Sequence, residues 1–151
     1  MQKQFKLAIG CDLAGYDFKE EVKRILTERG YDITDYGCWS SDEGEYPYYA
    51  KLIAKETLKD DMTRGILICG TGQGVNMAAN KVKGVRSALV FSNFAALLAR
   101  EHNDARVICT GAWLNTVPAF VEQIEIFLFG KYSGKHDRRL NALKEIENED
   151  L

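Results

Sequence analysis

The feature that most constrains the fold is an uninterrupted apolar segment near the middle of the chain, Gly65-Ile-Leu-Ile-Cys69. A strand with one face in water alternates apolar and polar side chains, whereas this segment has no polar position. Runs of this kind are typical of strands that are buried on both faces of a parallel sheet. The segment therefore predicts a parallel sheet that is covered by helices on both sides.

The rest of the chain alternates short strand-like segments with helical ones. In the first helical segment the apolar side chains between Phe18 and Leu26 fall on one face, with Asp17 as the expected N-cap and Gly30 as the expected end. The predicted strands are residues 5–9, 31–36, 65–69, 85–90 and 106–110, and the last two predicted helices are residues 117–129 and 137–149. Repeated strand–helix units predict an α/β protein with about five parallel strands and a C-terminal helix.

Length and composition indicate one globular domain. The chain has 151 residues, 46% hydrophobic and 28% charged, without a linker or repeat, so residues 1–151 are predicted to form a single domain. A formal charge of −2 provides no basic surface for nucleic acid or an anionic membrane. There is no signal-peptide pattern and no apolar run near the roughly 20 residues of a membrane span. The four cysteines form no C-x-x-C pair. We therefore expect a reduced, cytoplasmic protein that has no nucleic-acid or membrane partner.

The turns that follow the central strands are the expected place for a ligand. In parallel sheets ligands bind beyond the carboxyl ends of the strands, which selects Gly10-Cys-Asp12, residues 69–74 and Thr110-Gly-Ala-Trp113. Three glycines in residues 69–74 let the backbone approach a ligand, and the N–H groups of the following helix favour an anion. The G-x-G-x-x-G spacing of dinucleotide sites and the Walker lysine are both missing. A tight turn without a ligand is therefore an equal alternative.

Four side chains are candidates for proton chemistry or sugar binding. Cys69 precedes a helix N-terminus, where a thiol can act as base or nucleophile, although a buried apolar role is the alternative. Asp12 could orient hydroxyls or cap a helix. Tyr46 could line a pocket or anchor the start of a helix. His102 could transfer protons near neutral pH or cap its helix.

A basic cluster near the C-terminal end, Gly134-Lys-His-Asp-Arg-Arg139, is the anion-binding candidate of this acidic chain. The alternative is a solvated turn before the last helix. The chain has only two histidines, His102 and His136, so a metal site built from several imidazoles is excluded.

Taken in order, the segments form a pattern that has a counterpart in one family. The segments are Gly10-Cys-Asp12, Trp39-Ser-Ser41, Tyr46-Pro-x-Tyr-Ala50, residues 65–74, Ala78-Ala-Asn-Lys81, Gly84-Val-Arg-Ser-Ala88, His102-Asn103 and Gly134-x-His-x-x-Arg139. Together they resemble the B-type ribose 5-phosphate isomerases and the related galactose 6-phosphate isomerase subunits. The resemblance implies a Rossmann-like three-layer α/β/α sandwich and a homodimer or homotetramer with sites shared between subunits. It also implies interconversion of an aldose phosphate and a ketose phosphate, by default ribose 5-phosphate and ribulose 5-phosphate, without a metal or other cofactor.

The resemblance further implies a role for individual residues. Cys69 would move a proton between C1 and C2 through a cis-enediolate, Thr71 would assist at the hydroxyls, and His102 would open the furanose ring. The backbone N–H groups of residues 70–74 would stabilise the enediolate oxygens. We expect the base, the oxyanion donors and the ring-opening acid to share one edge of the sheet. The residues implied in substrate binding are Asp12, Tyr46, Gly70, Gly72, Gln73, Gly74, Asn103, Lys135, His136 and Arg139.

Three positions depart from the family pattern at the phosphate end of the substrate. Leu13 stands where the family usually has histidine, Trp113 where it often has arginine, and Lys135 where it has arginine. Leucine and tryptophan make no strong anion contact, and lysine is a point charge rather than a two-point fork. A different sugar phosphate, or an unphosphorylated sugar against Trp113, is therefore an alternative substrate, and Arg138 is a candidate compensating cation. A non-catalytic subunit or binding protein is a further alternative.

Overall fold

One parallel sheet organises the chain, and the computed structural model describes it over residues 4–149. The strands are β1 (Lys6–Cys11), β2 (Asp32–Asp35), β3 (Thr63–Cys69), β4 (Ser87–Leu89) and β5 (Val107–Gly111). The helices are α1 (Tyr16–Glu28), α2 (Tyr46–Glu56), α3 (Gln73–Asn80), α4 (Asn93–Glu101), α5 (Val117–Phe129) and α6 (Asp137–Asn148). The strand order is β2-β1-β3-β5-β4, and every neighbouring pair is parallel.

Strand β3 is the centre of the molecule, and all of its residues are buried. Successive side chains of a strand point to opposite faces of the sheet. Accordingly, Ile66 and Ile68 join the core on one side, where α1, α4 and α5 pack. Leu67 and Cys69 join the core on the other side, where α2 and α3 pack. The expected three-layer α/β/α sandwich is confirmed.

The start of α1 differs from the prediction. The helix begins at Tyr16 with Gly15 as its N-cap, so the assignment of Asp17 as the cap is wrong and Asp17 lies in the first turn. The chain enters α1 through a 3₁₀ turn, Leu13–Gly15, whose cap is Asp12. The side-chain carboxylate of Asp12 accepts the Gly15 N–H at 3.1 Å, which provides the capping interaction one turn earlier than expected.

A buried ion pair connects α1 to the end of β2. The Lys19 ammonium is fully buried and donates to both carboxylate oxygens of Asp35 and to the carbonyl of Cys38, each at 2.8 Å. Burial of Asp35 raises its pKa, but the hydrogen bonds from Lys19 and Lys23 outweigh this effect and leave the pKa below its usual value. The ion pair holds the segment that follows β2 and leads to α2.

The last two helices differ in how well the chain covers them. Helix α5 is mostly apolar, and six of its residues are buried. In α6 only Leu140 is buried, while Leu143 and Ile146 remain exposed. The apolar face of α6 is therefore mostly uncovered within one chain. Within residues 4–149, no helix is both long enough and apolar enough to cross a membrane.

Candidate active site

The carboxyl ends of β1, β3 and β5 meet at one edge of the sheet. Cys11 is level with Ile68, and Cys69 is level with Gly111. Backbone hydrogen bonds continue past the strands, because Ala112 N–H donates to the Cys69 carbonyl at 2.8 Å. Asp12, the turn after Cys69 and the turn after Gly111 are consequently neighbours, as the sequence predicted.

The turn after β3 folds back onto the cysteine. The N–H of Gly72 donates to Sγ of Cys69 at 3.1 Å. Gly72 has a φ of +81° and is the N-cap of α3, so the positive end of that helix faces the same region. An N–H donor and a helix N-terminus both favour an anionic ligand beside them. Cys69 itself is only 5% exposed.

The turn fits because two glycines lie backbone against backbone. A Cβ on Gly72 would lie 2.6 Å from the carbonyl carbon of Thr110, and a Cβ on Gly111 would lie 2.5 Å from the carbonyl carbon of Thr71. Neither position has room for a side chain. The importance of Gly111 was missed by reasoning from sequence, although a glycine directly after a buried strand was a usable signal.

Aromatic side chains form walls on both sides of this turn. The indole of Trp113 covers Gly70, where a Cβ would lie 2.8 Å from the ring, and 71% of Trp113 is exposed. The ring of Tyr46 lies against Gly74, where a Cβ would lie 3.0 Å from it. Leu13 is also exposed at this edge. The walls are therefore apolar, and aromatic faces of this kind pack against the C–H faces of sugars.

Asp12 serves as a cap and also lies at the site. Burial raises the pKa of its carboxyl above the usual value, while the N–H groups of Gly15 and Ala14 act in the opposite direction. One carboxylate oxygen accepts from Gly15. Asp12 also directly follows β1, beside the turn after Cys69, so its capping role does not exclude a role in ligand binding.

The other three cysteines belong to the core. Burial raises the pKa of the fully buried Cys109 thiol to about 12, and its Sγ lies 3.0 Å from Oγ of Ser87. The thiols of Cys11 and Cys38 are 3.6 Å apart and buried, and burial raises the pKa of Cys11 well above its usual value. Among the cysteines, Cys69 alone ends a strand beside the glycine-rich turn.

His102 lies at the opposite edge of the sheet, so the expectation that it shares an edge with Cys69 is wrong. It is the C-cap of α4, and its N–H donates to the carbonyl of Leu98 at 2.8 Å. The chain then enters β5 at Val107, whereas Cys69 is level with Gly111 at the far end of that strand. Four residues of strand span about 13 Å. A turn from a helix to a strand in such a sheet always lies at the amino edge, and this signal was present in the sequence.

A second group of polar residues assembles at this amino edge. The rings of His102 and His136 are 4.6 Å apart, and Nη1 of Arg139 donates to Nδ1 of His136 at 2.9 Å. Together with Asn103 they line a pocket of about 350 Å³. Partial burial, followed by the positive charges of its neighbours, lowers the pKa of His136. The group thus offers imidazole, amide and guanidinium donors, which suit an anion or hydroxyl groups.

The remaining basic residues of this edge lie next to that group. Lys135 and Arg138 line an adjoining cleft of about 430 Å³ together with His136 and Arg139. Within residues 4–149, no set of three or more His, Cys, Asp or Glu side chains is close enough together to hold a metal ion. One chain therefore carries two separate groups of candidate residues: the carboxyl-edge group around Cys69 and the amino-edge group around His102.

The fold and the carboxyl-edge group are typical of one class, the small-molecule enzymes of the α/β type whose ligand lies beside a helix N-terminus. Comparison with known proteins narrows this class. A family described as Ribose/Galactose Isomerase matches residues 7–143. The ribose-5-phosphate isomerase B of Escherichia coli (strain K12) is 37% identical over 143 residues, which cover 94% of this chain and 96% of that protein.

Solved structures agree with this result. The ribose-5-phosphate isomerase B of Clostridium thermocellum superposes with a TM-score of 0.90 at 34% identity, covering 95% of this chain and 97% of that one. The enzyme of Mycoplasma genitalium with bound ribulose-5-phosphate gives a TM-score of 0.89 at 37% identity, covering 97% and 98%. The chain therefore belongs to the ribose/galactose isomerase family. The expected enzyme class, an aldose–ketose isomerase, is confirmed.

The contact between Gly72 and β5 provides a stability prediction with a matched control. Gly72 and Gly84 both have positive φ, but a Cβ on Gly84 would meet no atom closer than 3.6 Å. We expect Gly84→Ala to lower the free energy of unfolding by about 1–2 kcal/mol, the cost of the left-handed conformation alone. Gly72→Ala should cost at least about 3 kcal/mol, because backbone atoms stand in the way. Urea unfolding measures the free energy of unfolding of both variants. Equal losses of stability in the two variants would contradict the close packing of Gly72.

Proposed function

We propose that this chain interconverts ribose 5-phosphate and ribulose 5-phosphate through a cis-enediolate, with Cys69 as the base. The observation that carries the proposal is the position of Cys69 Sγ at the N-terminus of α3, where it accepts the Gly72 N–H. The substrate is supported by the relatives, since one of them is described with bound ribulose-5-phosphate. Four buried free cysteines are in keeping with a cytoplasmic location.

In the proposed reaction the Cys69 thiolate removes the proton from C2 of the open-chain aldose. The electron pair moves to the carbonyl oxygen at C1, which gives the enediolate, and the thiol then returns the proton to C1. Among the N–H groups of residues 70–74, those that are not donated to Cys69 or Thr71 stabilise the developing oxyanion. Thr71 Oγ1 accepts the N–H of Gln73 at 3.3 Å, so its own proton is directed to a substrate oxygen and assists the transfer between the two hydroxyls.

In the proposed complex the substrate contacts the aromatic rings on both sides of the turn and the carboxylate of Asp12. The Asp12 carboxylate accepts a sugar hydroxyl, and Tyr46 and Trp113 enclose the sugar. Since Trp113 contacts Gly70 directly, its indole lies next to the reacting atoms and not only at the far end of the substrate. Exclusion of water by these rings strengthens each hydrogen bond at the oxyanion.

We further propose that each complete site combines two subunits of a homodimer or homotetramer. Ring opening requires His102, which lies about 13 Å or more from Cys69 within its own chain. A partner subunit can bring its amino-edge group to this carboxyl edge, where His102 would give a proton to the ring oxygen and Asn103 would hold a hydroxyl. Exposed apolar residues at several places support association, namely Trp39, Tyr48, Phe94, Trp113, Leu114, Leu143 and Ile146.

In such a site the phosphate would lie among the cations of the partner's amino edge. His136, Arg139 and Lys135 are the proposed contacts, with Arg138 in the adjoining cleft as an additional cation. The carboxyl edge contributes Leu13 and Trp113 and no cation in their place. This observation favours a second candidate, an isomerase for another sugar that presents a more apolar face.

A substrate panel separates these functions. The full chain is assayed with phosphorylated and free pentoses and hexoses in the presence of a chelator. The fastest aldose–ketose exchange should occur with ribose 5-phosphate. A higher kcat/KM for another sugar would select the second candidate. Absence of exchange with every sugar would indicate a non-catalytic subunit or binding protein.

The role of Trp113 can be tested with the same panel. Trp113→Arg should raise kcat/KM for the phosphorylated pentose relative to the free pentose about tenfold, because a guanidinium–phosphate hydrogen bond is worth about 1.5–3 kcal/mol. The control Trp113→Leu removes the indole without adding a cation and should leave the ratio unchanged. An unchanged ratio in Trp113→Arg would place the phosphate away from this side chain.

The proposed base provides a direct prediction. Cys69→Ala should lower kcat at least about a thousandfold, since general acid–base groups contribute about 10²–10⁴-fold. Thermal unfolding should show that the variant remains folded. Cys109→Ala is the matched control, because that thiol lies in the core with a pKa of about 12, and it should keep its turnover. Substantial turnover in Cys69→Ala would refute the cysteine mechanism.

Subunit mixing tests the shared site. Cys69→Ala and His102→Ala should each be inactive, but a mixture that is unfolded and refolded together should recover about a quarter of the wild-type activity, from hybrids with one intact site. A mixture of Cys69→Ala with Thr71→Ala is the control, because both changes lie at the same edge and no hybrid has an intact site. Equal inactivity of the two mixtures would contradict a site built from two chains.

A further inference from the structure

A cleft at the amino edge of the sheet is separate from both the carboxyl-edge group and the amino-edge group. Its volume is about 750 Å³, and it is bounded by the segments before β1 and β3, the end of α4 and the end of α5. Arg64 from β3 and Arg100 from α4 both line it, and each is only 7% exposed. The residues of the His102 pocket do not line this cleft.

The two arginines have unused hydrogen-bonding groups. Within residues 4–149, the side-chain hydrogen bonds of Arg64 all come from Nη1, which donates to the carbonyls of Asp61 and Thr63 at 2.9 and 3.1 Å. The side chain of Arg100 likewise donates from Nη1, to Oδ1 of Asp104 at 2.9 Å and to the carbonyl of Ala105 at 2.7 Å. In both, Nε is buried and has no partner within residues 4–149.

Two other arginines at this edge donate hydrogen bonds from two guanidinium nitrogens each, whereas Arg64 and Arg100 donate from one nitrogen each. Arg106 donates from both Nη1 and Nη2, and Nη2 pairs with the Asp61 carboxylate. Arg86 donates from both Nε and Nη2. A buried guanidinium that leaves donors unused loses stability unless a further acceptor is supplied.

The cleft also carries an excess of positive charge. Asp104 is shared between Arg100 and Arg86, so its single carboxylate serves two guanidinium groups. Burial, followed by the charges of Arg100 and Arg106, lowers the pKa of Arg64 to about 10. Lys131 adds another cation at the rim. An anion in the cleft would relieve this repulsion and would accept hydrogen bonds from the Nη2 groups of Arg64 and Arg100, which have no partner within residues 4–149.

The walls around the two arginines are apolar. The Arg64 guanidinium lies over the Phe5 ring at 5.0 Å, and Phe129, which is 44% exposed, forms part of the opposite wall with Leu128. Gly130 packs against the stem of Arg100, since a Cβ there would lie 2.9 Å from Cβ of Arg100. The arginines are therefore held in place beside an apolar surface, as in pockets that bind small organic molecules.

We propose that this cleft is a binding site for a small organic anion, in which a carboxylate or phosphate lies between Arg64 and Arg100 and an apolar or aromatic group packs on Phe5 and Phe129. The site is separate from the isomerase site and does not depend on the proposed reaction. It lies close to the amino-edge group along the chain, because Asp104 follows His102 by two residues.

The test is calorimetric titration of the full chain with four probes in a phosphate-free buffer: phenyl phosphate, benzoate, inorganic phosphate and benzyl alcohol. Phenyl phosphate or benzoate should saturate one site per chain. The probe with the lower dissociation constant shows whether the site prefers a phosphate or a carboxylate. Benzyl alcohol should bind at least about tenfold more weakly, because it lacks the charge. Equal binding of benzyl alcohol, or no saturable binding of either aromatic anion up to about 10 mM, would refute the proposal.

Variants locate the bound probe. Arg64→Met should weaken binding of the tighter anion at least tenfold, whereas the surface variant Arg24→Met should not. Arg139→Met should also have no effect, because Arg139 belongs to the amino-edge group. Phe129→Ala changes a partly exposed residue and keeps the test open if Arg64→Met does not fold. Phe129→Ala should weaken the binding of phenyl phosphate more than the binding of inorganic phosphate. Loss of binding in Arg139→Met but not in Arg64→Met or Phe129→Ala would place the probe at the isomerase site.

Discussion

The close approach of β3 and β5 at their carboxyl ends is the constraint on which the site depends. Gly72 and Gly111 pack backbone against backbone, which allows the turn after β3 to fold back so that the Gly72 N–H reaches the Cys69 sulfur. The same turn starts α3 and directs its N-terminus to the site. A side chain at either glycine would separate the strands and the turn, and would remove the donors that stabilise an anion.

The parallel sheet explains why the two groups of residues that the proposed reaction needs lie apart in one chain. Strands present their carboxyl ends at one edge, and helices return the chain to the other, so Cys69 and His102 are separated by the length of a strand. Each group is formed within the chain, since His102, His136 and Arg139 contact one another without Cys69. The proposed oligomer would therefore bring together two preformed groups without rearrangement of either one.

The distribution of cations shows how little net charge says about local electrostatics. A formal charge of −2 conceals the Arg139 cluster at the amino-edge group and the Arg64–Arg100 pair in the separate cleft. The carboxyl edge has Leu13 and Trp113 instead of additional cations. The proposed contacts of an anion therefore lie at the amino edge of the sheet, and the proposed contacts of the sugar are apolar walls at the carboxyl edge.

The sequence alone determined the parallel α/β sheet, because the apolar run of β3 and the alternation of strands and helices are local patterns. It also identified Cys69, His102 and the basic segment as candidate residues, and the family to which they belong. Tertiary structure decided how these residues are grouped. The contact of Trp113 with Gly70, the replacement of Asp17 by Asp12 as the cap before α1, and the unused donors of Arg64 and Arg100 depend on residues far apart in the chain or on details of turn geometry. Packing of this kind has no periodic signature, so only the folded chain reveals it.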